Sequence, residues 1–189
     1  MSRKVHDDPT PRIAARLRAE RRRRGWSLDE LAGRAQVSKA MLSKLERGES
    51  SPTATLLGRI CGACGLTMSA LVAEPAAAGG RLVRRDEQPV WRDPQSHYLR
   101  RQVSPLSDLP IQLVEVELPG GADVAFPASA YAFIRQLVWV IAGRLDFVEG
   151  DVVHRMRAGD CLELGAPTDC VFRNPGRAPC RYLVALTRR

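Results

Sequence analysis

Histidine is scarce in this 189-residue chain, which holds only three, and His6, His97 and His154 lie far apart in the sequence. A histidine-rich metal centre or a Ser-His-Asp arrangement has little to draw on, and a lone histidine in a strand is usually a surface or hydrogen-bonded core residue. Cysteine is also sparse and odd in number, with Cys61, Cys64, Cys161, Cys170 and Cys180. Together with a polar start, MSRKVHDDPTPR, that lacks the apolar segment of a secretion signal, this predicts reduced thiols rather than a disulfide framework. No apolar run approaches the roughly 18 residues that cross a bilayer, so a cytoplasmic chain without a membrane partner is expected. No phosphate-cradling glycine loop is present. Neither catalytic residues, nor a cofactor, nor a metal site is expected, and the chain reads as a non-enzyme.

Positive charge is abundant, and it is concentrated. The net charge is +8. Residues 1–75 hold 14 basic against 8 acidic side chains, a net of +6, whereas the remainder holds 15 against 13. A positive field on one small segment suits a polyanionic partner.

That segment patterns as five short helices. Thr10-Pro11 is placed to begin the first, which runs to about Arg24 with Ile13 and Leu17 at helical spacing and Gly25 as its stop. Ser27-Leu28-Asp29-Glu30 has the form of a capping box for a second helix with Leu28, Leu31, Ala32 and Ala35 on its apolar side. After Gln36-Val37, Ser38 caps a third helix whose Met41, Leu42 and Leu45 are expected inside, with Gly48 ending it. Ser51-Pro52 is placed to start a fourth, carrying Leu56, Leu57, Ile60 and Cys64, and Thr67 caps a short fifth. Cys61-Gly-Ala-Cys64 has the spacing of half a zinc site. The same spacing also suits a redox pair; a zinc site needs two further ligands that this segment lacks, and Cys64 falls on the apolar side of the fourth helix, so a buried core role is expected.

Helical periodicity ends at EPAAAGG, residues 74–80, a linker composition. Beyond it come short segments rich in β-branched and apolar residues, IQLVEVEL, FIRQLVWVI, RLDFVEG, DVVHRMR, TDCVFRN and CRYLVAL, separated by Gly and Pro. Such spacing predicts a barrel or sandwich. The expected organisation is a helical domain over 1–73, a linker over 74–80 and an all-β domain over 81–189, α+β overall.

Helical spacing in 38–48 leaves Lys39, Ala40, Ser43 and Lys44 on the exposed side. The lysines can donate to guanine or phosphate, Ser43 can pair with either, and Ala40 offers a methyl contact to thymine. Ser27, Ser38 and Arg47 lie near helix ends, where they suit phosphate contact. The stretch RGWSLDELAGRAQVSKAMLSKLERGESSPTATLLGRI resembles the XRE, lambda-repressor-like helix-turn-helix family, whose recurring leucines, Val-Ser pair, Glu and Gly are filled here. The resemblance implies a double-stranded DNA operator as partner. Gln36 departs from the Gly usual in the turn, and Gly is favoured there because it enters positive φ without strain.

Residues 105–187 resemble the cupin family of small β-barrels. Gly159, Gly165-Ala166-Pro167, Cys170 and Asn174 follow the spacing of its second motif, with Pro and Gly exchanged and Cys170 where the metal-binding His belongs. Counting back from Gly143 puts Gln136 at the glutamate of the first motif, and Ser129 to Ala132 covers the span that should hold His-x-His. An amide and one thiol make a poor site for a divalent ion. The resemblance implies instead a dimerising module that binds a small-molecule effector. Its pocket is expected at Ser129, Tyr131, Gln136, Cys170 and Phe172. Regulators pairing these two families form a known bacterial class, and the helix-turn-helix text looks closest to members linked to sulfur or amino-acid metabolism. A homodimeric, effector-controlled transcriptional regulator is therefore expected, against two alternatives: a DNA-tethered metal-dependent cupin enzyme, and a ligand-independent repressor with the barrel as dimer clamp.

Overall fold

A computed structural model describes residues 9–72, 80–105, 107 and 109–188. The linker segment at 74–79 lies outside the described residues. Among these, five helices precede the strands: α1 Thr10–Arg23, α2 Leu28–Ala35, α3 Lys39–Arg47, α4 Ala54–Cys64 and α5 Met68–Val72. No helix is long and apolar enough to cross a membrane among the described residues.

Local chemistry accounts for most helix ends. Ser27 and Glu30 form the reciprocal capping box of α2, Ser38 caps α3, and Thr67 accepts from the Ala70 amide at the start of α5. Gly25, Gly48 and Gly65 take positive φ just past α1, α3 and α4. Two starts differ from the sequence reading. Pro9, not Thr10, occupies the position before α1, because Thr10 is already helical and its buried hydroxyl shares a 2.7 Å hydrogen bond with Ser51. The fourth helix begins after Thr53, whose hydroxyl accepts from the Leu56 amide, leaving Ser51-Pro52 in the preceding loop.

The second half is two facing antiparallel sheets. One contains β1 Val90–Arg92, β2 Leu99–Gln102, β3 Ile111–Leu118, β5 Ile134–Ala142, β8 Cys161–Glu163 and β10 Cys180–Arg188, in the order β1-β2-β3-β10-β5-β8. The other contains β4 Asp123–Phe126, β6 Arg144–Glu149, β7 Val152–Arg157 and β9 Cys170–Arg173, in the order β4-β9-β6-β7. The architecture is the expected α+β one, a five-helix bundle followed by an all-β unit of two antiparallel sheets. Alternation along β5 buries Ile134, Gln136, Val138 and Val140 and turns Arg135, Leu137, Trp139 and Ile141 outward, as period-two geometry requires. Asn174 holds the barrel end together, donating to the Leu118 and Ala178 carbonyls and accepting from the Gly176 amide.

The two halves are packed against each other. Gly58 and Gly62 lie on the side of α4 that meets the barrel. A Cβ on Gly58 would come within 2.7 Å of the Phe126 ring, and one on Gly62 within 2.8 Å of the Ser129 backbone. Only a missing side chain lets the helix approach this closely. Thr55 donates a 2.8 Å hydrogen bond to the Ala125 carbonyl, and Arg100 of β2 donates one of 2.9 Å to the Ser69 hydroxyl of α5.

Candidate nucleic-acid interface and candidate ligand cavity

The turn between α2 and α3 is left-handed at Gln36, with φ 54° and ψ 46°, and this residue's carbonyl accepts from Arg59 of α4. The chain then enters α3 through Ser38, in extended conformation, with its hydroxyl accepting from the Met41 amide at 3.2 Å. Leu42, Leu45 and Glu46 form the buried stripe of α3. Met41, expected inside, is 39% exposed. Glu46 takes part of the inner face because Arg21 neutralises it, which rotates Met41 outward. Arg21 clamps the Glu46 carboxylate at 2.6 and 2.8 Å, and Arg18 donates to the Glu46 carbonyl.

Lys39, Ala40 and Lys44 are exposed and Ser43 is half-buried, so the outer side of α3 presents all four together with Met41. Lys39 reaches the Asp29 carboxylate at 2.7 Å, and Arg47 engages both the Glu49 carboxylate and the Ser43 hydroxyl. Exposed pairs of this kind are worth little in water, so polyanion oxygens can replace them at small cost. Ser27 is exposed, and its hydroxyl and amide are both used by Glu30. Of the arginine run 21–24, Arg21 points inward to Glu46. Arg24 binds Glu20 and the Cys64 carbonyl and lies over the Trp26 ring. Arg22 and Arg23 project outward, Arg23 bridging to Glu20.

A cavity lies where α4 and α5 close over the barrel interior. It leaves about 60 Å³ for the centres of water molecules, room for roughly four waters or a small compact ligand. Tyr131, Gln136 and Phe172 line it, as do Arg100, Tyr98 and Tyr182; Cys61, Thr67 and Met68 close the helical side. Cys170 stands behind Tyr131, its thiol donating to the Tyr131 hydroxyl at 3.2 Å. Ser129 packs its backbone against α4 and does not line the cavity. Sequence reasoning missed Tyr98, Arg100 and Tyr182 and the helical wall. The first two sit before the stretch that carries the cupin motifs, and the burial of Arg100 leaves no mark in the text YLRRQ.

Burial pushes the Cys170 thiol up to about 11, against the lowering effect of its hydrogen bond with Tyr131, and the Cys61 thiol up to about 12. Both are protonated at neutral pH, which disfavours thiolate chemistry. Among the described residues no three His, Cys, Asp or Glu side chains converge as a metal site. The cavity lining offers a divalent ion Gln136 but also carries the Arg100 guanidinium, which repels cations. The residues present do not fit the metal of cupin enzymes.

Known proteins resemble this chain in part and over its whole length. Residues 12–74 match the family described as helix-turn-helix domain. The chain is 29% identical over 174 residues to the HTH-type transcriptional regulator SutR of Escherichia coli K12, covering 90% of this chain and 91% of that protein. It is 37% identical over 70 residues to the transcriptional regulator ClgR of Mycobacterium tuberculosis, covering 37% of this chain and 60% of that one. Among solved structures, an HTH_3 family transcriptional regulator from Vibrio cholerae has the same fold, with TM-score 0.77, 22% identity, and coverage of 94% of this chain and 96% of that one.

Proposed function

We propose that this chain is an XRE-like helix-turn-helix transcriptional regulator with a C-terminal cupin domain, in which α3 reads a specific operator while the cupin barrel dimerises and senses a small molecule. Lys39, Ala40, Ser43 and Lys44 contact base edges, with Met41 beside them as a further apolar contact. Ser27, Ser38 and Arg47 hold phosphates. The observation that carries this is the solvent-facing side of α3, on which both lysines, Ala40 and Ser43 stand next to a capped helix start. In a helix-turn-helix these are the positions that enter the major groove.

The protein works in the cytoplasm as a homodimer on a pseudo-palindromic site. Its helical domain, over 1–73, is joined to the barrel, over 81–189, by the segment 74–80. The effector occupies the cavity against Tyr131, Gln136 and Phe172, with Cys170 and Ser129 as its outer support. The cavity's own groups set what it holds, rather than the sulfur and amino-acid metabolism suggested by the DNA-binding segment. The barrel catalyses nothing, because its donor set suits neither a metal nor an activated nucleophile.

Duplexes selected from a random pool by the purified protein supply the operator. At fixed salt, Lys39→Ala and Lys44→Ala should each weaken operator binding about tenfold, in line with the roughly 1–3 kcal/mol of a good base contact. Arg47→Ala should weaken specific and random duplexes alike. Wild-type affinity and selectivity in the lysine variants would remove α3 from the interface.

A further inference from the structure

We propose that the cavity binds a small organic carboxylate lacking an amino group, that Arg100 receives it, and that the bound ligand fastens the helical domain to the barrel. The proposal rests on the reading of the chain as an effector-controlled regulator and names the effector's chemistry and its route of action.

Arg100 is only 8% exposed, and its guanidinium donates to neutral groups, the Ser69 hydroxyl at 2.9 Å and the Tyr98 hydroxyl. No carboxylate pairs with it among the described residues. A buried cation without a counter-charge is costly, and the planar guanidinium fork matches a carboxylate better than any other small anion of carbon. Two further buried polar side chains stand in the same wall: Gln136, 8% exposed, and Tyr182, 1% exposed. Both line the cavity and can donate to the same anion or accept from a hydroxyl on it. The remaining wall is apolar, with Phe126, Phe172 and Met68. The lining contains no Asp or Glu, so the ammonium of an amino acid would stand uncompensated beside a guanidinium. The volume admits a carboxylate of a few carbons.

The cavity also spans the two halves. Arg100 is a barrel residue held by α5 through Ser69, and Met68 and Cys61 close the site from above. A carboxylate on Arg100 therefore completes a chain of contacts from β2 to α5. It binds the docked arrangement of the helices more tightly than any undocked one, and that difference in affinity is what a switch requires. The effect reaches the DNA-binding helices through direct packing of α4 and α5 on the barrel, without passing through the linker.

The test titrates full-length protein with acetate, pyruvate and isobutyrate, with isobutyramide and L-alanine as comparators, following thermal melting and calorimetry. At least one carboxylate should raise Tm saturably at millimolar concentration, and neither comparator should. Arg100→Gln should bind that carboxylate about tenfold more weakly or not at all, and Arg100→Lys should recover part of the affinity. Gly62→Ala lies outside the cavity lining but pushes α4 off Ser129, and it should weaken carboxylate binding severalfold. Should either variant fail to fold, the selectivity of the wild-type protein for carboxylate over amide still decides. No response to any of the three carboxylates, or an equal response to isobutyramide, overturns the proposal. An equal response to L-alanine overturns its exclusion of amines, and wild-type affinity in folded Gly62→Ala overturns the fastening. Operator binding is measured on the same preparation: DNA binding with no carboxylate response defeats this inference alone, and a carboxylate response without DNA binding defeats the regulator reading alone.

Discussion

Gln36 adopts a backbone conformation that costs an L-residue with a Cβ roughly 1–2 kcal/mol, at the point where the chain turns from α2 into α3. Its side chain is exposed; its backbone amide donates to the Gly33 carbonyl and its carbonyl accepts from Arg59. Glycine would keep that carbonyl and relieve the strain, offset by about 0.5–1 kcal/mol of extra chain entropy. Gln36→Gly should therefore stabilise the protein by up to about 1 kcal/mol, raising Tm by about 2–4 °C. A fall in Tm in a thermal melt would mean that the glutamine side chain holds something the exposed position does not reveal. This strain was legible beforehand, because a turn of two residues between capped helices demands positive φ and the text places a glutamine there. Met41 was not legible: apolar at an i, i+3, i+4 spacing, it competes for the core with a glutamate that no periodicity rule would bury. Arg21 decides between them.

At the scale of elements, that Arg21–Glu46 clamp is the main polar tie between α1 and α3. Both side chains are largely buried, 14% and 6% exposed, and the bond is two-pronged. Removing one partner leaves the other as a buried uncompensated charge, which costs about 3–5 kcal/mol. Glu46→Ala should lower stability by about 3 kcal/mol, toward the lower end because Arg21 keeps its bond to the Trp26 carbonyl. Combining it with Arg21→Ala should cost clearly less than the sum of the single changes in chemical denaturation. Additive losses would show that the two side chains act independently. The same elements explain what the sequence carried and what it did not. Helix starts are written locally, in Ser27, Ser38 and Thr67. The strands β1, β2, β4 and β8 are three or four residues long, too short for period-two alternation to stand out from a loop. The packing of α4 against β4 and the turn that follows it depends on Gly58 and Gly62, whose meaning appears only when Phe126 and Ser129 are opposite them.

At the scale of the whole molecule, a helix-turn-helix monomer presents one α3, whereas a palindromic operator asks for two, set by a dimer of fixed spacing. The proposed dimer is expected to meet through the outer face of the larger sheet. On β5, Leu137, Trp139 and Ile141 are 43%, 47% and 37% exposed, and Leu183 and Ala185 of β10 stand opposite Trp139 and Leu137. Ile111 extends the apolar band on β3. A continuous apolar face on an antiparallel sheet is costly in water, and flanking Arg135, Glu163 and Arg181 give it the polar rim typical of an interface. A second copy is the occupant expected, since two identical faces bring the same apolar centre and charged rim together about a two-fold axis. Trp139, large and central, should be the anchor. Trp139→Arg keeps the inner face of β5 unchanged, because the side chain points away from the core, so the fold should survive while the dimer weakens by at least about 2 kcal/mol, roughly thirtyfold in its dissociation constant. Sedimentation at micromolar protein should move from dimer toward monomer, and operator affinity should fall with it while binding to a single half-site is retained. A folded variant that remains fully dimeric would shift the interface to another face. In that event the exposed apolar band of β5 would be left without a role in assembling the pair of α3 helices.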